Sequence, residues 1–244
     1  MPRIAGKTAS QAAAIMATSA YINRKRPKQR LLLVDDHPVL REGFAQLISI
    51  ESDLQVCGQT GNSVKALYDI GELKPDLVIL DIGLKGCNGI ELIKRIRALN
   101  SQLAILAFSV HDELLYAERA LRAGARGYVM KQSSTEEVMG AIRRVLRGER
   151  YLSPRMHDRM LQKISNRKPA LDSSSDLDVE CLSDRELEVL QLIGNGLGTR
   201  QIAEQLHLSI KTVETYRAHI KQKLNLRNGL ELIRVGMETV QQSL

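Results

Sequence analysis

The sequence lacks any run of apolar residues approaching the roughly 20 needed to cross a bilayer. It therefore reads as a chain without a membrane span. Cysteine is scarce: Cys57, Cys87 and Cys181 stand far apart, and no CxxC pair or Cys/His cluster occurs. That excludes a structural zinc site and a disulfide framework, and it fits a reduced, cytoplasmic setting. Acidic residues are missing from residues 1–30, which hold seven basic ones and no continuous apolar stretch. Without such a stretch the segment is not expected to be a secretory signal. The chain's net charge of +7 comes from this segment, because residues 31–244 balance to zero. The charge therefore predicts a basic, disordered extension over 1–29 rather than basic folded domains.

What is present begins with Leu77-Val78-Ile79-Leu80, four apolar residues running into Asp81. A short continuous apolar run reads as a strand buried on both faces, the mark of a parallel sheet. Similar runs lead into Asp35-Asp36, into Ser109 and into Lys131. Open α/β sheets place their ligands at such strand ends. Three carboxylates converging there would repel one another, and a hard cation with oxygen ligands, Mg²⁺, relieves that repulsion. A lysine and a hydroxyl beside the metal suit the oxygens of a phosphoryl group. On this reading Asp81 is the nucleophile that accepts it.

Apolar periodicity predicts five β–α units between residues 30 and 148: strands near 31–34, 55–59, 77–80, 103–108 and 126–130, helices near 39–50, 63–73, 89–99, 112–123 and 135–147. That pattern argues for an α/β doubly wound five-stranded parallel sheet. Residues 149–181 read as a linker with a short helix near 155–164 and a polar run, Asp172–Asp176, too polar to bury a core. From 182 to 244 a small all-α unit of four helices follows. Ser183 and Glu186 have capping-box spacing, with Leu182 and Leu187 placed as a hydrophobic staple. A short helix to Leu206, a three-residue turn and a longer helix from Ile210 to about Leu224 make a helix-turn-helix pattern. On the long helix Val213, Tyr216, Ile220 and Leu224 fall on one stripe. Lys211, Glu214, Thr215, Ala218 and Gln222 fall on the opposite, narrow face.

Val34-Asp35-Asp36-His37-Pro38, Arg41-Glu42-Gly43, Asp81, Asn88-Gly89, Gly124-Ala125 and Gly127-Tyr128 with Lys131 together resemble a response-regulator receiver domain, in the version of the NarL/FixJ family. The resemblance implies a flavodoxin-like receiver fold. It implies that Asp35, Asp36, Asp81 and the backbone carbonyl of Gly83 hold Mg²⁺, and that a sensor histidine kinase phosphorylates Asp81. Ser109, Tyr128 and Lys131 then form the phosphoryl-binding switch. Arg185-Glu186, Ile202-Ala203, Leu206, Ser209, Thr212-Val213, Ile220 and Lys223-Leu224 resemble the LuxR-type helix-turn-helix. That implies double-stranded operator DNA as a partner, contacted by Ser209, Lys211, Thr212, Glu214, Thr215, Arg217, Ala218, Lys221 and Gln222, and a homodimer when active. Two departures stand out. Lys85 occupies a position usually held by proline, and Gly83 offers no side chain over the site. Two rival readings are a phosphorylation-independent regulator with a scaffold receiver and an aspartyl-phosphate phosphohydrolase. Gly83 argues against the hydrolase, which commonly needs an acid there, and a regulator rather than an enzyme is expected.

Overall fold

The computed structural model describes residues 27–165 and 179–241. The basic extension up to residue 26 and the polar run Asp172–Asp176 lie outside the described residues. The first part of the chain alternates strand and helix: β1 (Gln29–Val34), α1 (Pro38–Ile50), β2 (Leu54–Thr60), α2 (Ser63–Leu73), β3 (Leu77–Leu80), α3 (Gly89–Leu99), β4 (Ala104–Ser109), α4 (Glu113–Ala123), β5 (Gly127–Met130) and α5 (Thr135–Leu146). After α6 (Pro154–Ser165) come a 3₁₀ turn (Val179–Cys181) and four helices: α7 (Asp184–Gly194), α8 (Thr199–Leu206), α9 (Ile210–Lys223) and α10 (Gly229–Gln241).

The five strands form one parallel sheet in the order β2-β1-β3-β4-β5. Side chains alternate across a strand, so each apolar run feeds two cores. Leu32, Val34, Val78, Leu80 and Ile105 pack on the side of α2, α3 and α4. Leu31, Leu33, Ile79, Leu106 and Phe108 pack with residues of α1 and α5. The chain leaves β1 in one direction for β2 and crosses back to β3. The strand order therefore reverses between β1 and β3, which opens a crevice at their carboxyl ends.

The sheet continues past the fifth strand. Tyr151 bridges to Gly127, its N–H donates to Arg126 O (3.0 Å), and its carbonyl accepts from Tyr128 N–H (3.3 Å). The Tyr151 hydroxyl donates to Glu137 Oε1 at 2.7 Å. Ser134 caps α5 by accepting from Glu137 N–H. The Glu137 carboxylate turns to Tyr151, so the spacing gives one half of a capping box there. At α7 both halves form, between Ser183 and Glu186.

Leu187, Leu190, Ile193, Ile202, Val213, Ile220, Leu232 and Val235 make the core of the helical part. Two glycines let its helices meet. A Cβ on Gly194 would stand 2.2 Å from Gly236 O, so α7 and α10 touch through backbone. His207 ends α8 in the left-handed region (φ 53°) and turns the chain into Ser209, which caps α9.

Candidate functional site

Strand register fixes the site. Val34 is paired with Leu80, so the residues that follow, Asp35 and Asp81, emerge side by side at the crevice. Ala107 is paired with Leu80 and Ser109 with Met130, which brings Ser109 and Lys131 to the same edge. Asp35, Asp81, Ser109 and Lys131 thus come to one edge of the sheet. Asp35, Asp36, His37 and Asp81 offer ligand atoms lying within 4.8 Å of one another.

Lys131 is the charge at the centre. Its Nζ lies 2.7 Å from both Asp35 Oδ2 and Asp81 Oδ2, with only 3% of its side chain exposed. Asp81 Oδ1 accepts from Gly83 N–H at 2.9 Å. Burial pushes the Asp81 carboxyl above its ordinary value, and Lys131 offsets only part of that. Burial alone would lower the Lys131 ammonium, but Asp81 and Asp35 outweigh it and hold the ammonium up. Asp36 differs from its neighbours. Both its carboxylate oxygens are buried without a hydrogen-bond partner. A buried anion left so is costly unless a cation covers it. Three carboxylates sharing one buried ammonium are a donor set that fits a hard divalent ion such as Mg²⁺.

Around this centre sits a chain of contacts. Ser109 Oγ accepts from His111 N–H (3.2 Å). The Tyr128 hydroxyl points inward and donates to His111 O at 2.7 Å. Burial pushes that phenol far above its usual range. The His111 ring stacks on Tyr116 with centroids 4.8 Å apart. Tyr116, fully buried on α4, donates its hydroxyl to Gln191 Oε1 on α7 at 2.8 Å. Arg119 donates to Leu182 O (2.8 Å) and Val179 O (3.1 Å) and pairs with Asp184 (3.1 Å). Lys94 pairs with Asp184 at 3.2 Å, and Asn88 Nδ2 donates to Glu188 Oε2 at 3.3 Å. The helical part is thus docked on α3 and α4 through α7. His111, Tyr116, Arg119 and Gln191 carry no signal in the sequence, since each gains its role from residues far along the chain.

The expected nucleic-acid face lies on α9. Lys211, Glu214, Thr215, Ala218 and Gln222 are exposed, while Arg217 and Lys221 are half-buried. Val213 and Ile220 are fully buried on the opposite side, as their spacing predicts. Some of the expected polar contacts are already engaged locally. Ser209 Oγ and Thr212 Oγ1 share a hydrogen bond (2.8 Å), and Thr215 Oγ1 donates to Lys211 O (2.9 Å). Docking on the receiver-like part leaves this face uncovered.

Comparison with known proteins covers both parts. Residues 31–143 match the family model of the response regulator receiver domain, and residues 180–236 that of bacterial regulatory proteins of the luxR family. The oxygen regulatory protein NreC of Staphylococcus carnosus is 33% identical over 210 residues, which are 86% of this chain and 97% of that protein. A two-component response regulator of the LuxR family from Aurantimonas is 35% identical, with a TM-score of 0.54, over 57% of this chain and 99% of that one. RcsB of Salmonella enterica, bound to a promoter in the presence of phosphomimetic BeF₃⁻, is 25% identical, with a TM-score of 0.52, over 85% of this chain and 97% of that one.

Proposed function

This chain belongs to the two-component response regulators that join a receiver domain to a LuxR-type helix-turn-helix, and on that premise we propose that phosphorylation of Asp81 by a sensor histidine kinase governs operator binding through α9. Members of this family are phosphorylation-regulated, DNA-binding transcription regulators. The reading divides the chain into a basic extension (1–29), a receiver (30–148), a linker (149–181) and a DNA-binding domain (182–244). The observation that carries it is the position of Lys131 Nζ at 2.7 Å from both Asp35 and Asp81, beside the buried Asp36 carboxylate, which accepts no hydrogen bond.

In the transfer, the bond between phosphorus and the kinase's histidine nitrogen breaks as an oxygen of Asp81 bonds to phosphorus. Asp35, Asp36, Asp81 and the Gly83 carbonyl would hold Mg²⁺, which would supply charge neutralisation for the phosphoryl oxygens. Lys131 is placed to move its hydrogen bond from the Asp81 carboxylate to those oxygens. The Ser109 hydroxyl would donate to them as well. When Ser109 turns inward, His111 N–H loses its acceptor, and the loop that stacks on Tyr116 must shift. Tyr116 holds Gln191, so the shift reaches the docked α7. The phosphoryl group thereby biases an equilibrium between docked and released forms.

Release frees the DNA-binding domain to pair with a second copy on operator DNA. Ser209, Lys211, Thr212, Arg217 and Lys221 would position α9 on phosphates, while Glu214, Thr215, Ala218 and Gln222 face base edges. The protein acts as a cytoplasmic switch rather than as an enzyme turning over an external substrate.

Acetyl phosphate with Mg²⁺, followed by intact mass, tests the centre of this reading. The wild-type chain should gain one phosphoryl group, and Asp81→Asn should gain none. A phosphoryl mass retained on the variant would place the acceptor elsewhere.

A further inference from the structure

The loop between β3 and α3 carries a lysine that the mechanism above does not use. Lys85 Nζ stands 3.6 Å from Asp36 Oδ2. Lys131 pairs with both Asp35 and Asp81 but makes no ion pair with Asp36 among the described residues. Asp36 side-chain exposure is only 7%, and neither of its oxygens accepts a hydrogen bond. Among the described residues, Lys85 and the His37 imidazole (3.2 Å) are the basic groups that face it.

We infer that Lys85 is a tethered counter-cation at the divalent-cation site, pairing with Asp36 until the divalent ion displaces it, and so setting how much Mg²⁺ the receiver needs.

Three features support this role. The separation exceeds hydrogen-bond reach, so the pair is held by charge and no directional bond resists displacement. Lys85 is 67% exposed, so its ammonium has water to move into. Gly86 beside it adopts φ +73°, a conformation that favours glycine. This loop shape therefore holds the lysine next to the site without a strained side-chain residue. Charge counting shows the competition. With His37 left aside, three carboxylates, Lys131 and Lys85 sum to −1. A divalent ion added with Lys85 in place makes the site +1, whereas expelling Lys85 makes it neutral. Binding of the ion is therefore coupled to departure of the ammonium.

The inference rests on the reading of this pocket as a divalent-cation site, and the experiment separates the two. Mg²⁺ is titrated by calorimetry into the full-length wild type, Lys85→Met, Lys85→Arg and Asp36→Asn. Lys85→Met should bind Mg²⁺ about three- to fivefold more tightly, the scale of an exposed ion pair. Lys85→Arg, which keeps the charge, should stay near the wild type. The gain in Lys85→Met should shrink at high salt, where such a pair is screened. Equal or weaker binding by Lys85→Met overturns the inference, and so does a Lys85→Arg shift as large as that of Lys85→Met. Asp36→Asn should lose most of the binding. If it binds as the wild type does, the cation reading of the pocket itself fails, whatever the Lys85 variants do.

Discussion

Tyr116 is fully buried, stacked on His111, and hydrogen-bonded across the interface to Gln191 Oε1 at 2.8 Å. Its position on α4 puts it two contacts from Ser109 and one from the DNA-binding domain. Tyr116→Phe keeps the ring and removes only the donor. Gln191 then has a buried oxygen without that partner, at a cost of about 1–3 kcal/mol. The cost falls on the docked form, because release returns Gln191 to water. The unphosphorylated variant should therefore bind operator DNA more tightly than the wild type, by about fivefold or more on that scale. Fluorescence anisotropy on labelled operator measures it, and identical affinities would remove Tyr116 from the coupling. Asp81 was legible in the sequence because four apolar residues deliver it to a strand end. Tyr116 was not, because its partner is 75 residues away and nothing local marks the pair.

Among the elements, strands and helices were legible nearly to the residue, because apolar periodicity and caps agree. Asn62, Asn88, Asp112, Ser183 and Ser209 each accept from backbone N–H groups at a helix start. Tyr151 was not legible, since a single residue joining a sheet edge leaves no periodic trace. Glu186 shows how a cap can also tie elements together. Its Oε2 accepts from Ser183 N–H and from Lys223 Nζ, both at 2.7 Å, so one carboxylate closes α7 and anchors the last turn of α9. Burial pushes this carboxyl up, but Lys223 and Ser183 together outweigh burial and hold it below its ordinary 4.5. A carboxyl depressed by folding stabilises the fold above its unfolded value, and that contribution fades as pH falls through the depressed value. Glu186→Gln should cost about 1.5–3 kcal/mol at neutral pH, the range for hydrogen bonds to charged groups. The cost should narrow in acid, as pH falls below the ordinary carboxyl value of 4.5 and through the depressed one. Urea melts of the full chain at both pH values check this. A deficit that does not change with pH would mean that the carboxylate charge is not what matters.

At the scale of the whole molecule, the two domains were legible, but their docking was not. Ile90 and Tyr116 belong to the same buried cluster as Leu187 and Leu190, so the receiver core continues into α7. The exposed face of α9 lies outside this contact, so docking restrains the DNA-binding domain without masking its reading face. Charge then sets a second requirement. Residues 183–244 sum to only +1, and a dimer of them to +2, which is weak attraction for a polyanion. The basic segment at the chain start is the evident reserve, though the fold takes part of it. Lys28 Nζ donates to Glu51 O, and the Arg30 guanidinium donates to Leu73 O. Arg3, Lys7, Arg24, Lys25 and Arg26 precede the first described residue and leave +5 per chain for DNA. Each phosphate neutralised steepens the dependence of log affinity on log salt by about 0.9. Two contacts per extension, hence four per dimer, would change the slope by about 3.6. A chain beginning at Pro27 keeps α9 and all of its exposed side chains. Phosphorylated and titrated on operator DNA over several salt concentrations, it should show a shallower slope than the full chain, with site preference intact. Superimposable slopes would assign the extension no part in holding DNA, and a changed site preference would place it in a groove rather than on the phosphates.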